Sequence, residues 1–547
     1  MENEKLYLGI SLGFNSSACL YSDKRGLLKC ISEERINRIK NTKEIPIDAI
    51  KFCLKGLTEI EDICVGHYEN ITTKYFDLHS DYNFVGETWK DYLTSMMNKL
   101  NIKFRDIVRI DHHNAHAYSA FGFYPIEDKY YLISSDGFGD GYSAQILDQN
   151  NVILSGKSLS QSIGLVYQFV TGALGFKEHE HEGKITGLAA HGKPIYVKDL
   201  EALYDVSDPS NIKYIGEITD EDKNTPTEII DFDAFLSIKR NIYKVVKDLV
   251  ANGAEMKDIA ASVQYFAEYY TLKWLESICH IKKSVYLSGG LFANVKLNQR
   301  IKDSGLFENV YVCPAMGDEG TCVGACIYYL SRYRNMKITN GKFLNVFGGN
   351  DIDFDAKHNS YSDDDLINLI CDRLSEKKAV CLVRENMEFG PRALCHRTIL
   401  FDPTDAKIND SLNARLGRTE FMPFAPVCAE EFAEDLFKNF KGGENSAKFM
   451  TMTFDGTDEF CERYKGVCHV DGTARPQCVN KDEMPFMHKL LMAYYEKTGN
   501  KCLINTSYNL HGEPIINDHL HALSSFTVAR LDTLVINNEV IEFNETI

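Results

Sequence analysis

The sequence contains no apolar run near the roughly 20 residues that cross a bilayer, no basic and apolar leader at its start, and no low-complexity tract or polar tail. The expectation is a cytoplasmic protein with no membrane partner. Its 16 cysteines include no CxxC and no even framework of spacings. They are expected as reduced, mostly buried thiols rather than disulfides, with Cys322 and Cys326 on one helix face. Positive charge is also scarce, 60 Lys and Arg against 78 Asp and Glu, a net of −18. Broad attraction to nucleic acid needs clustered cations, so a nucleic-acid partner is disfavoured beyond a local basic groove.

At 547 residues, with 44% apolar and 25% charged side chains, the chain is a globular protein too long for one core, and at least two domains are expected. The most informative stretch runs from Ile110 to Gly141. His112 and His116 at i, i+4 on a helix aim two imidazoles at one point, and small residues with an aromatic stripe, Tyr118 to Tyr124, cover the other side. Tyr130–Ser135 reads as a buried strand ending in the acidic glycine turn Asp136–Gly141. Two core histidines and a helix cap would also fit. The nearby carboxylates Asp136 and Asp140, and a later Asp/Gly turn at Asp318, favour a metal site at the carboxyl ends of strands.

Further along, Lys5–Ser11 is a first strand, Gly13–Ser17 a turn able to hold phosphate through backbone N–H groups, and Ala18–Tyr21 the returning strand. Glu33–Lys40 is a charged helix start, or a set of basic side chains beside an anion. Glu178–Lys184 alternates His and Glu, as an exposed strand or loop or as a weaker metal site through His179 and His181. Lys184 could reach a phosphate. Glu201–Asp233 looks like a surface insertion. Asp258–Ile278 is a helix, and Ser284–Leu287 a strand running into Gly289, Gly290 and Asn294, where a ligand could approach the backbone. The strand Asn309–Cys313 then leads into the turn with Asp318. Asp136 and Asp318 are thus expected at equivalent places in two strand-turn-helix units, and that duplication suggests an α/β, actin-like nucleotide fold. The pattern breaks at Arg332–Asn350, which places a first domain over residues 1–345 and a second over 346–547. In the second, Arg392, Arg397, Arg415, Arg418 and Arg475 stand on or near Gly/Pro turns, with Asn505 and Ser507 closing the set. Guanidinium forks grouped in an acidic protein point to a pocket for a small dianion.

Taken together, Gly13–Ala18, Ser32–Arg35, His112–Phe121, Gly183-Lys184 with Gly187–Ala189, Gly289-Gly290 with Asn294, Gly317-Asp318, Glu388–Leu394, Pro423–Pro426, His469–Gln477 and Asn505–Pro514 make the chain resemble the NodU/CmcH family of O-carbamoyltransferases over nearly its whole length. The resemblance implies a duplicated actin-like domain followed by an α+β YrdC-like domain. The YrdC-like domain would join carbamoyl phosphate to ATP, with Mg2+, as carbamoyladenylate. The actin-like domain would pass the carbamoyl group to an acceptor hydroxyl of a small molecule or nucleoside, with AMP leaving. His112, His116, Asp136 and Asp318 would hold a divalent, iron-type metal. Lys184, Gly289, Gly290 and Asn294 would line the nucleotide, and Arg392, Arg397, Arg415, Arg418, Arg475, Asn505 and Ser507 would surround carbamoyl phosphate and ATP. Asn15, Asp136 and Asp140 would serve transfer. Family members commonly carry a His, a candidate base, where Phe14 stands, so Asp140 is the alternative base or the acceptor site is rebuilt around an aromatic. Cys395, His396 and Arg415 also depart from the usual Gly, Asn and Lys. Competing readings are threonylcarbamoyl transfer to tRNA and a non-catalytic actin-like ATP-binding module.

Overall fold

The computed structural model describes residues 4–67, 88–217, 232–354, 360–418 and 423–543. Part of the expected insertion, residues 218–231, lies outside them.

Two five-stranded sheets have one topology. The first comprises β1 (Leu6–Ser11), β2 (Ser17–Ser22), β3 (Gly26–Ser32), β4 (Asp62–Gly66) and β5 (Asp106–Ile110), in the order β3-β2-β1-β4-β5. An antiparallel meander β1-β2-β3 is extended by parallel β4 and β5. The second comprises β6 (Tyr130–Gly139), β7 (Tyr142–Asp148), β8 (Ile153–Lys157), β11 (Ser284–Ser288) and β12 (Val310–Val312), and the small hairpin β9 (Tyr204–Asp205) and β10 (Lys213–Tyr214) lies within its long crossover. Its order, β8-β7-β6-β11-β12, repeats the first strand for strand. This is the duplicated α/β unit of an actin-like fold. Side chains on β1 explain the burial: Leu8 and Ile10 join a cluster with Ile50, Ile63 and Met97, while Tyr7 enters a different one with Cys64 and Tyr329. A strand covered on both faces by helices reads as the apolar run seen in the sequence.

The repeat corrects one expectation. Because β6 corresponds to β1 and β12 to β5, Asp136 matches the turn after β1, and Asp318, ahead of helix Thr321–Tyr328, matches the start of helix His112–Ser119. Asp136 and Asp318 are therefore not equivalent positions. The expected Asp136–Gly141 turn is also different, since β6 continues through a bulge to Gly139. Only Asp140 and Gly141 turn, both at positive φ (47° and 87°), as a two-residue type I′ hairpin requires.

Beyond residue 350 a seven-stranded mixed sheet forms, ordered β18-β15-β19-β14-β13-β20-β21. Its strands are β13 (Val380–Val383), β14 (Arg397–Phe401), β15 (Ala425–Ala429), β18 (Gln477–Val479), β19 (Cys502–Ser507), β20 (Thr533–Ile536) and β21 (Glu539–Glu542), and β16 (Phe454–Asp455) pairs separately with β17 (Thr473–Ala474). One apolar cluster runs from Tyr124 and Tyr311 through Phe449 to Leu490 and Leu503. It crosses the expected boundary without a break. All 16 cysteines are free, 14 of them buried, and among the described residues no helix is long and apolar enough to cross a membrane.

Candidate metal centre and anion pocket

Helix His112–Ser119 begins where β5 ends. Asp111 caps it by accepting from Asn114 N (2.9 Å), and Asp140 Oδ2 accepts from His112 N (2.8 Å) and from Arg109 Nη1 (2.9 Å). Carboxylates satisfy the free N–H groups and the dipole at a helix start. Asp140, expected as a base, has its Oδ2 engaged in holding the start of this helix.

From one face of the helix, His112 Nε2 lies 3.1 Å from Asp136 Oδ2 and 3.8 Å from Asp318 Oδ1. His116 Nε2 lies 3.1 Å from Asp318 Oδ1 and 3.6 Å from Asp136 Oδ2. These four ligand atoms all lie within 4.8 Å of one another. Donors about 2.1 Å from one ion sit about 3–3.5 Å apart, and a set of two imidazoles and two carboxylates suits a divalent first-row metal. The donor set therefore fits the implied ion. Burial opposes charge on His116, but its bonds to Asp136 and Asp318 outweigh burial and raise its pKa to about 9. Burial likewise favours a neutral Asp136, yet the two imidazoles hold its carboxyl well below the usual range. His113 is the satisfied core histidine: its nitrogens meet Ser134 Oγ and Tyr142 O at 2.9 Å each, and burial pushes its pKa down to about 3.

The glycine pair serves this cluster directly. Gly289, at φ 103°, lies so close to β6 that a Cβ would stand 2.2 Å from Ser135 O. Its N–H donates to Met316 O (2.8 Å), and Gly290 N donates to Asp136 Oδ1 (3.2 Å). The close approach expected toward a nucleotide is thus made to the strand carrying Asp136. Asn294, expected beside it, caps helix Val295–Asp303 and is paired with Gln264 (2.8 Å). Lys184 is buried on helix Glu182–Ala189. Asn15, at φ 50°, keeps a buried Oδ1 that has no partner among the described residues.

The expected arginine set divides. Arg392 and Arg475 act on each other electrostatically, and each has a buried Nε with no partner among the described residues. Burial lowers the Arg392 pKa to about 10 against the attraction of Glu319, and burial with the Arg392 charge takes Arg475 well below its ordinary value. Two partly desolvated like charges would be relieved by an anion between them. Arg418 fans over Thr506 Oγ1 (2.9 Å) and Ser507 O and Oγ (2.8 and 3.2 Å). The other members of the set make hydrogen bonds within the fold. Arg415 pairs with Asp532 (3.1 Å) and the carbonyls of Ala529 and Arg530. Arg397, fully buried, donates to the carbonyls of Arg384 (2.8 Å), His396 (3.0 Å) and Asn350 (3.0 Å). Asn505 lies inside a network with Gln477 (2.6 Å), Ala393 O and Thr398. From the first half, Arg35 donates to Gly390 O (2.6 Å) and Arg38 to Ile515 O and Pro514 O. The basic side chains of Glu33–Lys40 thus tie the two halves together.

Sequence reasoning missed three participants. Ser11 and Ser17 donate to the carbonyls of Asp318 and Glu319 (2.7 Å each), and Gln168 bonds His179 (3.1 Å). Hydroxyls in a strand and an amide inside an apolar helix carry no local signal.

Comparison with known proteins follows the same outline. The family model described as carbamoyltransferase N-terminus matches residues 6–327, and that described as carbamoyltransferase C-terminus matches residues 371–542. The chain is 31% identical to an uncharacterized protein, MJ1051, of Methanocaldococcus jannaschii, over 98% of this chain and 99% of that one. It is 27% identical to the nodulation protein NolNO of Sinorhizobium fredii, over 94% and 77%. With the 3'-hydroxymethylcephem-O-carbamoyltransferase of Amycolatopsis lactamdurans it shares 32% identity over 43% of this chain and 44% of the relative. With both family models matched in order along the chain, the protein belongs to the NodU/CmcH carbamoyltransferase family and is a transferase.

Proposed function

We propose that this protein is an ATP-dependent O-carbamoyltransferase working in two stages, with activation in a domain over residues 346–547 and transfer in a domain over residues 1–345. The observation that carries this reading is the pair Arg392 and Arg475, half-buried and within electrostatic reach of each other, each with a buried Nε that has no partner and with no bonded counter-charge among the described residues. A small dianion such as carbamoyl phosphate relieves that repulsion, and bidentate guanidinium contacts would orient it. Counting phosphorus, carbamoyl phosphate and ATP yield carbamoyladenylate, pyrophosphate and phosphate. Water therefore cleaves carbamoyl phosphate to carbamate, whose oxygen attacks the α-phosphorus of ATP. In the second stage the acceptor hydroxyl attacks the carbamoyl carbon and AMP leaves.

His112, His116, Asp136 and Asp318 would hold a divalent metal, of iron type by resemblance, which when bound supplies positive charge for the departing phosphate. Ser11, Ser17 and Gly290 fix the backbone or carboxylates of that cluster, so its geometry is set before substrate arrives. The activated carbamoyl group must be kept from water, and the apolar core continuous across both halves supports a closed path. The acceptor class is a small-molecule or nucleoside-type hydroxyl, since a net charge of −18 repels a long polyanion.

The test is release of pyrophosphate from ATP by the purified protein with and without carbamoyl phosphate. Release that depends on carbamoyl phosphate is expected. Equal release in both arms, or none, would reject the two-stage reading.

A further inference from the structure

Phe14 and His179 come from the two repeats and meet beside the four-ligand cluster. Phe14 lies in the loop between β1 and β2, whose flanking Ser11 and Ser17 hydroxyls hold the backbone of Asp318 and Glu319 at 2.7 Å. His179 lies in the turn after helix Ile163–Ala173, which is anchored on the opposite flank: its cap Ser162 donates to Gly137 O (2.7 Å), next to Asp136. The Phe14 and His179 rings stack with centroids 4.5 Å apart and planes at 28°. Lys43 Nζ stands 3.9 Å from the Phe14 centroid. His179 is held at φ 65°, a left-handed conformation uncommon outside glycine and of the kind that concentrates at functional positions.

The hydrogen bonds around His179 decide its tautomer. Gln168 Nε2 lies 3.0 Å from Glu178 Oε2 and 3.1 Å from His179 Nε2. Glu178 also accepts from Tyr243 and from Lys239 (3.1 Å), so it is a carboxylate, which can only accept. The amide nitrogen of Gln168 must therefore face it, because a flipped amide would set oxygen against oxygen. The second amide hydrogen then points at His179 Nε2, which must carry the lone pair. The ring proton is on Nδ1. Although the residue is exposed on one side, desolvation by its packed neighbours and the Lys43 ammonium lower its pKa, which favours the neutral ring.

We propose that His179 is a hydrogen-bond donor in carbamoyl transfer: Glu178 and Gln168 present its Nδ1–H, Phe14 sets its ring plane, and the donor stabilises the carbamoyl oxygen as negative charge develops there. This rests on the carbamoyl-transfer reading above. As the acceptor oxygen bonds to the carbamoyl carbon, the carbonyl electron pair moves onto oxygen beside Nδ1–H. It returns as the bond to the AMP phosphate breaks, and the hydroxyl proton leaves with that phosphate. His179 is not the base, since its only lone pair is occupied by Gln168.

Two measurements test this. The tautomer is read without any activity from the 15N shifts of selectively histidine-labelled protein: Nδ1 protonated and Nε2 bare in the wild type, and a mixture in Gln168→Leu. An Nε2-protonated ring in the wild type overturns the proposal. In transfer assays, His179→Ala and His179→Gln should lose about 100- to 1,000-fold in kcat, the loss typical of one oxyanion donor. His179→Asn, whose amide nitrogen overlays Nδ1, should recover at least a tenth of the wild-type rate. Wild-type kcat in His179→Ala, or equal losses in Asn and Gln variants that melt like the wild type, would overturn it. The wild-type transfer rate, measured alongside, tests the underlying reading separately.

Discussion

A Cβ on Gly324 would stand 1.7 Å from the carbonyl oxygen of Ala115, so helices Thr321–Tyr328 and His112–Ser119 cross backbone to backbone. This crossing sets how far Asp318, just ahead of the first helix, stands from His112 and His116 on the second. Gly324→Ala should force the helices apart, destabilise the protein by about 1–3 kcal/mol and lower metal occupancy. Thermal melting and elemental analysis would check both. Unchanged metal content in a variant with a lowered Tm would show that the crossing does not set the cluster.

Cluster residues should behave as one unit. Asp136→Ala and Asp318→Ala each remove one of two carboxylates facing the same imidazoles. Bound metal and carbamoyl transfer should fall together in both. Asp318→Ala with full metal occupancy would discard the ligand assignment.

Arg392 and Arg475 are placed at a cost that an anion removes. Phosphate or carbamoyl phosphate should therefore raise the wild-type Tm, by an amount corresponding to about 2.7 kcal/mol at 100 times Kd. Arg475→Met should melt higher than the wild type without ligand and gain little from either anion. A variant with the wild-type anion response would show that the anion binds elsewhere.

His396 provides a pH signature away from the His112, His116, Asp136 and Asp318 cluster. Burial against Phe347 (3.7 Å between ring centroids) holds its pKa at about 3, below the ordinary value of about 6.5. As pH falls from 6.5 toward 3, the unfolded chain takes up a proton that the folded ring refuses. Stability from this group is thus full above 6.5 and lost below it, by up to about 1.4 kcal/mol per pH unit. The Tm advantage of the wild type over His396→Asn should shrink between pH 7 and pH 4.5. A constant difference would mean that the native ring protonates normally.

Local periodicity was enough to find His112 and His116, because i, i+4 on a helix is a property of neighbouring residues. The same holds for the strand ending near Asp136, for the small residues of Thr321–Tyr328 and for the family, whose blocks are contiguous in the chain. What converges across the fold was not legible. That Asp318 answers the start of the histidine helix rather than Asp136 follows from strand order, which spacing does not encode. Asp140 and Asp111 are both acidic residues near one helix, and only the hairpin geometry directs Asp140 onto His112 N. Arg415, Arg397 and Arg475 look alike as letters, yet the first bonds Asp532 and the second donates both terminal nitrogens to carbonyls, while the third lies within reach of the Arg392 charge. Whether a guanidinium is structural or available depends on the groups that folding brings within about 3 Å of it, and those groups lie from one to more than a hundred residues away in sequence. The chain by itself determined the candidate donor types and the helix face that presents two of them. The tertiary structure decided which carboxylates they meet, which arginines are engaged by carboxylates and carbonyls, and that Phe14 stacks on His179.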